Sequence, residues 1–144
     1  MTVVIDANIA LALAIPLPYS DQAKEHIDHW QRDGTQLVAP ALWGYEVVSG
    51  LCKASKIGLL TLQHAASAID NLWALGVEEI TASEEMHRQA LVWAERLGHK
   101  VAYDAQYLVV AQQYEAPLWT ADERLVKNAR SINVDWIHWI GERV

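Results

Sequence analysis

Short β-branched apolar runs alternate along this chain with longer segments whose apolar positions recur at helical spacing. Thr2 to Ile5 (TVVI) reads as a strand buried on both faces. Ala7 to Ile15 follows as a short helix, stopped by Pro16 and Pro18. Ser20 is placed to cap a helix through Arg32, with Ala23, His26, Ile27 and Trp30 as its inner stripe and Gly34 as its stop. Gln36 to Ala39 forms a second strand, and Pro40 suits the first turn of a helix running to Ala54. Thr61 opens another helix, with Leu62, Ala65, Ala66, Ile69, Leu72 and Trp73 at helical spacing and Gly76 after its end.

The same alternation continues to the end of the chain. Val77 to Ile80 is a third strand, and Ser83 caps a helix from Glu84 to Leu97 that Gly98 terminates. Tyr103 to Tyr114 is the next helix, Pro117 to Thr120 (PLWT) a fourth strand, Ala121 to Arg130 a helix and Val134 to Trp139 a last strand. Strands that alternate with helices predict the α/β class, with a mainly parallel sheet covered on both faces by right-handed crossovers. No repeat, low-complexity stretch or long polar linker interrupts the pattern, so residues 1–144 are expected to form a single domain.

Composition adds a few limits. The 144 residues, 52% apolar, suffice for one ordinary core. Seven Trp and no Phe carry the aromatic bulk together with Tyr, and the seven Trp read as core filling. Cys52, the one cysteine, has no disulfide partner in the chain and lies in an apolar stretch, which predicts a buried free thiol. The opening MTVVIDANIA lacks a basic stretch before its apolar residues, and no apolar run is long enough to cross a bilayer, so a soluble, cytoplasmic protein is expected. A net charge of −7 argues against a general nucleic-acid coat but not against a nuclease, whose metal-binding acids add negative charge themselves.

The acids stand where charge is otherwise missing. Asp6 is the only charged residue from Met1 to Ser20, Glu46 the only one from Gly34 to Cys52, and Asp104 the only one from Val101 to Tyr114. Asp122 follows PLWT in the sequence TAD, beside Glu123. Taken singly, Asp6 fits a turn after a strand, and Asp104 and Asp122 fit helix caps. Glu46 fits no such role. It sits within the apolar helix ALWGYEVVSGL with no basic residue one turn away, so it needs a long-range partner or a metal.

Topology brings these four acids toward one pocket. Asp6 and Asp122 follow strands, Asp104 starts a helix leading to the fourth strand, and Glu46 lies in the helix after the second; ligands in open α/β sheets bind beyond the carboxyl ends of strands. Two unit charges about 4 Å apart repel by roughly 4 kcal/mol at an effective dielectric near 20, so such acids must take up protons or share a cation. Oxygen ligands without Cys or His suit Mg²⁺ or Mn²⁺, and those ions serve phosphodiester chemistry. A receiver domain would show paired acids after the first strand and a Lys after a late one, whereas Ala7 follows Asp6. A haloacid-dehalogenase-like phosphatase would show Asp-x-Asp, whereas position 8 is Asn.

The landmarks VVIDANI, WGYEVVSGL and AYDAQYLVVAQQYEAPLWTADERL, in that order and followed by a short final strand, resemble PIN domains over almost the whole chain. Within that family they are similar to the VapC-like ribonuclease toxins of type II toxin–antitoxin pairs. The resemblance implies a PIN-like three-layer α/β/α sandwich. It implies that Asp6, Glu46 and Asp104 are core metal-binding and catalytic acids, with Asp122 as a more variable fourth and Asn8 and Thr120 as supporting polar residues. It further implies an endoribonuclease that holds Mg²⁺ or Mn²⁺ and uses no protein nucleophile, a homodimer, and a cognate antitoxin as partner. A PIN-like scaffold that binds RNA or protein without cutting is the alternative. Lys53, Lys56, Arg124, Lys127 and Arg130 are candidate RNA-backbone contacts, and Trp43 a candidate for stacking on a base.

Overall fold

Four successive β-branched residues favour extended backbone, and Thr2–Ile5 forms β1, with Val3, Val4 and Ile5 fully buried. The computed structural model describes residues 1–142, so residues 143–144 of the expected domain lie outside the described residues. After β1 come α1 (Ala7–Ala14), α2 (Ser20–Arg32), β2 (Gln36–Pro40), α3 (Leu42–Lys56), α4 (Leu62–Trp73) and β3 (Glu78–Ile80). The chain continues with α5 (Glu84–Leu97), α6 (Tyr103–Gln113), β4 (Leu118–Thr120), α7 (Glu123–Ser131) and β5 (Ile137–Trp139).

The strands make one five-stranded sheet in the order β3-β2-β1-β4-β5, every neighbouring pair parallel. Register aligns Val38, Val4, Leu118 and Ile137 across one face. Those residues share a core with Trp43 and Val47 of α3, Trp93 of α5, Tyr107 and Leu108 of α6, and Leu125 of α7. Val3, Ile5 and Leu37 face the other way, onto Ile9 of α1 and Ala23, Ile27 and Trp30 of α2. This is the expected α/β sandwich with a parallel sheet between helical layers.

Several local expectations shift by a residue or more. Pro40 ends β2, opposite Ile80, instead of starting α3; its missing N–H costs nothing at a strand end, and the next amide, Ala41 N, continues the ladder to Ile80 O at 2.9 Å. Ser20 does not cap α2. Its Oγ donates to Ile15 O at 3.0 Å and accepts from Leu17 N at 2.9 Å, closing the Pro16–Pro18 turn, and Tyr19 takes the cap position. Thr61, Ser83 and Asp122 do cap their helices, accepting from His64, Met86 and Leu125 amides respectively. On α4 the buried stripe is Ala65, Ala68 and Leu72, while Leu62, Ala66 and Trp73 are exposed. Cys52 is exposed, not buried, because α3 buries the stripe Trp43, Val47, Leu51 and Ala54 and its other positions turn outward.

The end of α3 that carries Glu46 is fixed from another element. Ala41 offers no side-chain cap, but Glu79 of β3 accepts from Gly44 N at 2.7 Å. A carboxylate at this end also suits the helix dipole. Gly44 permits the approach, since a Cβ there would lie 2.6 Å from Glu79 Oε1. Replacing Glu79 by Ala should therefore lower stability by about 1 kcal/mol, the usual worth of such a cap. Urea denaturation measures this, and an unchanged midpoint would show that the contact contributes nothing.

Candidate active site

β1 lies between β2 and β4, and the chain's winding direction reverses there, which opens a crevice beyond the carboxyl ends of β1 and β4. Asp6 immediately follows β1, and Asp6 N donates to Trp119 O at 3.0 Å, so the backbone is still tied to β4 at the crevice. The Asp6 side chain is buried, 7% exposed. Thr120, wholly buried at the end of β4, donates its hydroxyl to Asp6 Oδ2 at 2.8 Å. Thr120 Oγ1 itself accepts from Asn8 Nδ2 at 3.2 Å and from Asp122 N at 3.0 Å. A hydroxyl has one proton and two lone pairs, so these three bonds saturate Thr120 and aim its proton at Asp6. Asn8 Oδ1 accepts from Ala121 N at 3.0 Å, completing the link between the two strand ends. Asn8 and Thr120 thus lie beside Asp6, Thr120 hydrogen-bonded to it and Asn8 to Thr120.

The other acids reach the crevice from helices. Glu46, half-buried on α3, accepts from the Tyr107 hydroxyl of α6 at 2.7 Å, which supplies the long-range partner that its position demanded. Asp104 lies in the first turn of α6, near the His99 imidazole, with Nδ1 to Oδ2 at 3.8 Å. Asp122 uses Oδ1 to cap α7, accepting from Leu125 N at 3.1 Å, so its reading as a helix cap is also correct.

Electrostatics joins the four into one group. Burial pushes Asp6 up to about 7; the Thr120 hydrogen bond opposes that rise, and the charges of Asp104 and Glu46 add to it. Burial also raises Glu46, against its Tyr107 bond and with help from Asp104. Asp104 is raised by burial first, lowered by His99 and raised again by Asp122. The Tyr19 phenol, on the turn before α2, is raised by burial and then by Asp6 and Asp122. Among the described residues no three Asp, Glu, His or Cys side chains are drawn close enough to hold a metal ion between them.

The donor set still suits a hard divalent cation. Asp6, Glu46, Asp104 and Asp122 are linked by charge from one to the next with no thiol among them, and Asp6 has no cationic partner among the described residues. Tyr107, Tyr19 and His99 were missed from the sequence. Tyr107 had a detectable signal, since it stands three residues after Asp104 on the same face of a helix. Trp43 is corrected: it is 1% exposed, its ring 5.2 Å from that of Trp73, and so it offers no face to a base. Lys127 and Arg130 are paired with Glu123 and Glu142, which engages two of the expected RNA contacts within the chain. His26, at 2% exposure, is buried on the inner stripe of α2, as its spacing predicts.

A five-stranded parallel sheet between helical layers fits the PIN fold, and the chain belongs to the PIN-domain family, whose model it matches over residues 3–131. It is 30% identical to Ribonuclease VapC3 of Pyrobaculum aerophilum over 128 residues, 88% of this chain and 94% of that protein. Its fold is similar to a chain of the toxin–antitoxin complex from Klebsiella pneumoniae, with TM-score 0.67, 19% identity and coverage of 98% of this chain and 99% of that one. It is also similar to a chain of VapBC2 from Rickettsia felis bound to a DNA fragment from its promoter, with TM-score 0.67, 15% identity and coverage of 96% and 97%.

The raised Asp6 has a consequence for stability. Its folded value near 7 exceeds the ordinary aspartate value of 3.8, so the native state binds the extra proton between those limits. Stability contributed by protonated Asp6 is complete below pH 3.8 and is lost as pH rises toward 7. Asp6→Asn should therefore stabilise the metal-free protein at pH 8 by a few kcal/mol at most, about 1.4 for each pH unit separating the folded from the unfolded carboxyl, and by almost nothing at pH 4. Urea melts in EDTA at the two pH values test this, and an equal effect at both would refute it.

Proposed function

We propose that this chain is a divalent-metal-dependent endoribonuclease and the toxin of a toxin–antitoxin pair. Asp6, Glu46, Asp104 and Asp122 are its metal-holding and catalytic acids. The observation that carries the reading is Asp6: a buried carboxylate with no cationic partner among the described residues, acted on by the charges of Asp104 and Glu46 at the sheet's switch point. Kinship to Ribonuclease VapC3 supports RNA as the substrate class. The same kinship, with the two solved toxin–antitoxin neighbours, supports an antitoxin partner. The reading extends to a homodimer working in the cytoplasm, and no helix of the described residues is long and apolar enough to cross a membrane.

Each residue has a defined part. Thr120 fixes Asp6 Oδ2 and leaves Oδ1 without a side-chain hydrogen bond, while Asn8 locks the Thr120 rotor. Glu46 keeps Oε2 similarly unengaged while Oε1 accepts from Tyr107. Asp122 contributes through Oδ2, since Oδ1 caps α7. Mg²⁺ or Mn²⁺, when bound among these oxygens, supplies positive charge that eases ionisation of water and stabilises charge developing on a phosphodiester. No side-chain nucleophile is needed, and the exposed Cys52 belongs to α3's outer surface.

Purified protein should cleave an end-labelled mixed RNA pool in Mg²⁺ or Mn²⁺ and stop in EDTA. Asp104→Asn should slow cleavage on the order of 100-fold, equivalent to roughly 3 kcal/mol of transition-state stabilisation. Cleavage that survives EDTA, or that the substitution leaves at full rate, would overturn the mechanism. A folded, metal-loaded, antitoxin-free protein that cleaves nothing in the pool would favour a binding scaffold.

A further inference from the structure

We infer that Tyr107 is a positioning residue that sets the separation of Glu46 from Asp6 and thereby prepares the crevice for a divalent cation, an inference that rests on the metal-nuclease reading above. The Tyr107 ring is 1% exposed, and its hydroxyl makes two contacts. It donates to Glu46 Oε1 at 2.7 Å and accepts from Ala7 N at 3.3 Å. Ala7 is the residue after Asp6, and Asp104 stands three residues before Tyr107 on α6. One phenol thus ties together the three chain segments that carry Asp6, Glu46 and Asp104.

The chemistry of the phenol makes the link directional. Its single proton goes to Glu46, and the Ala7 N–H occupies a lone pair, so the hydroxyl has little freedom to turn. A buried Tyr commonly finds some partner, so a hydrogen bond alone would signify only packing. Here the partners are an acid of the site and the amide beside another. Glu46 has no other side-chain partner among the described residues. Without the phenol, repulsion would leave Glu46 free to swing toward solvent, since α3 is open to solvent at Tyr45 and Val48.

Tyr107→Phe keeps the ring and removes only the hydroxyl. Its Mn²⁺ affinity, read by calorimetry on the full chain, should fall about tenfold, as expected when a partner that orients a metal ligand is lost. RNA cleavage should need correspondingly more Mn²⁺, with the rate at saturation nearly retained. The effect should vanish in a Glu46→Gln background, because the hydroxyl acts through that carboxylate. Val110→Ala, a cavity in the same helix, should lower the melting temperature without changing Mn²⁺ affinity. A Phe variant that binds Mn²⁺ like wild type, or an Ala variant that binds it as weakly as the Phe one, would overturn the assignment while leaving the metal site intact. Wild-type protein that takes up no Mn²⁺ would overturn the metal-nuclease reading and this inference together. If the Phe variant does not fold, wild-type protein still decides the matter. Its Tyr107 hydroxyl proton should exchange slowly and shift during Mg²⁺ titration, and a resonance that Mg²⁺ does not move would count against the role.

Discussion

The C-terminal edge of the sheet is organised around one carboxylate taken out of water with no cationic side chain beside it among the described residues. Asp6 is held at the end of the central strand by its backbone bond to Trp119 and faces the Thr120 hydroxyl as its side-chain partner. Burying an ionised carboxylate is costly unless it is hydrogen-bonded and neutralised, and a single hydroxyl does only part of that. The remaining cost is visible as a proton affinity raised to near neutrality. The bonds from Asn8 and from Asp122 N to Thr120 follow from the same constraint, because they leave the hydroxyl one direction in which to donate.

Topology makes the arrangement stiff. Asp6 directly follows β1 and Thr120 ends β4, adjacent parallel strands with buried neighbours on both faces, so their separation follows from sheet geometry. Glu46 and Asp104 come from helices, which can rotate or slide, and each is restrained by a contact from elsewhere. Glu79 of β3 holds the start of α3, and Tyr107 joins α3 to both α6 and the residue after Asp6. Rigid strand ends supply one half of the crevice and cross-linked helices the other.

The elements and the acids are legible in the sequence for different reasons. Strands buried on both faces and helices with clear caps, such as the one between Ser83 and Gly98, carry strong local signals. The acids are legible because each stands alone in an apolar stretch, where charge has a reason to be kept. Orientation is harder to read. In α3 and α4, apolar residues occur on every side, so the pattern does not separate the buried Trp43 from the exposed Cys52 and Trp73. Pro40 is ambiguous because a strand end and a first helical turn both tolerate a missing N–H. Tyr107 leaves one local trace, its place three residues after Asp104, but its hydroxyl meets residues sixty-one and one hundred positions away, which no local pattern encodes.

The charge balance gives the crevice its character. The chain carries −7 overall, and four of its acids converge where a polyanion would have to enter on the proposed reading. Of the cations that the sequence offers for the backbone of RNA, Lys127 and Arg130 are already paired, and Lys53 and Lys56 stand at the far end of α3 from Glu46. His99, beside Asp104, is the nearest basic group to the acids among the described ion pairs. Such a surface repels phosphate until the acids are neutralised. A cation bound first would relieve that repulsion, stabilise the fold by binding only the native state, and invert the local potential at the point where the phosphodiester must sit. On the proposed reading, the free energy lost by bringing acids together at the switch point would be recovered when a divalent cation binds among them.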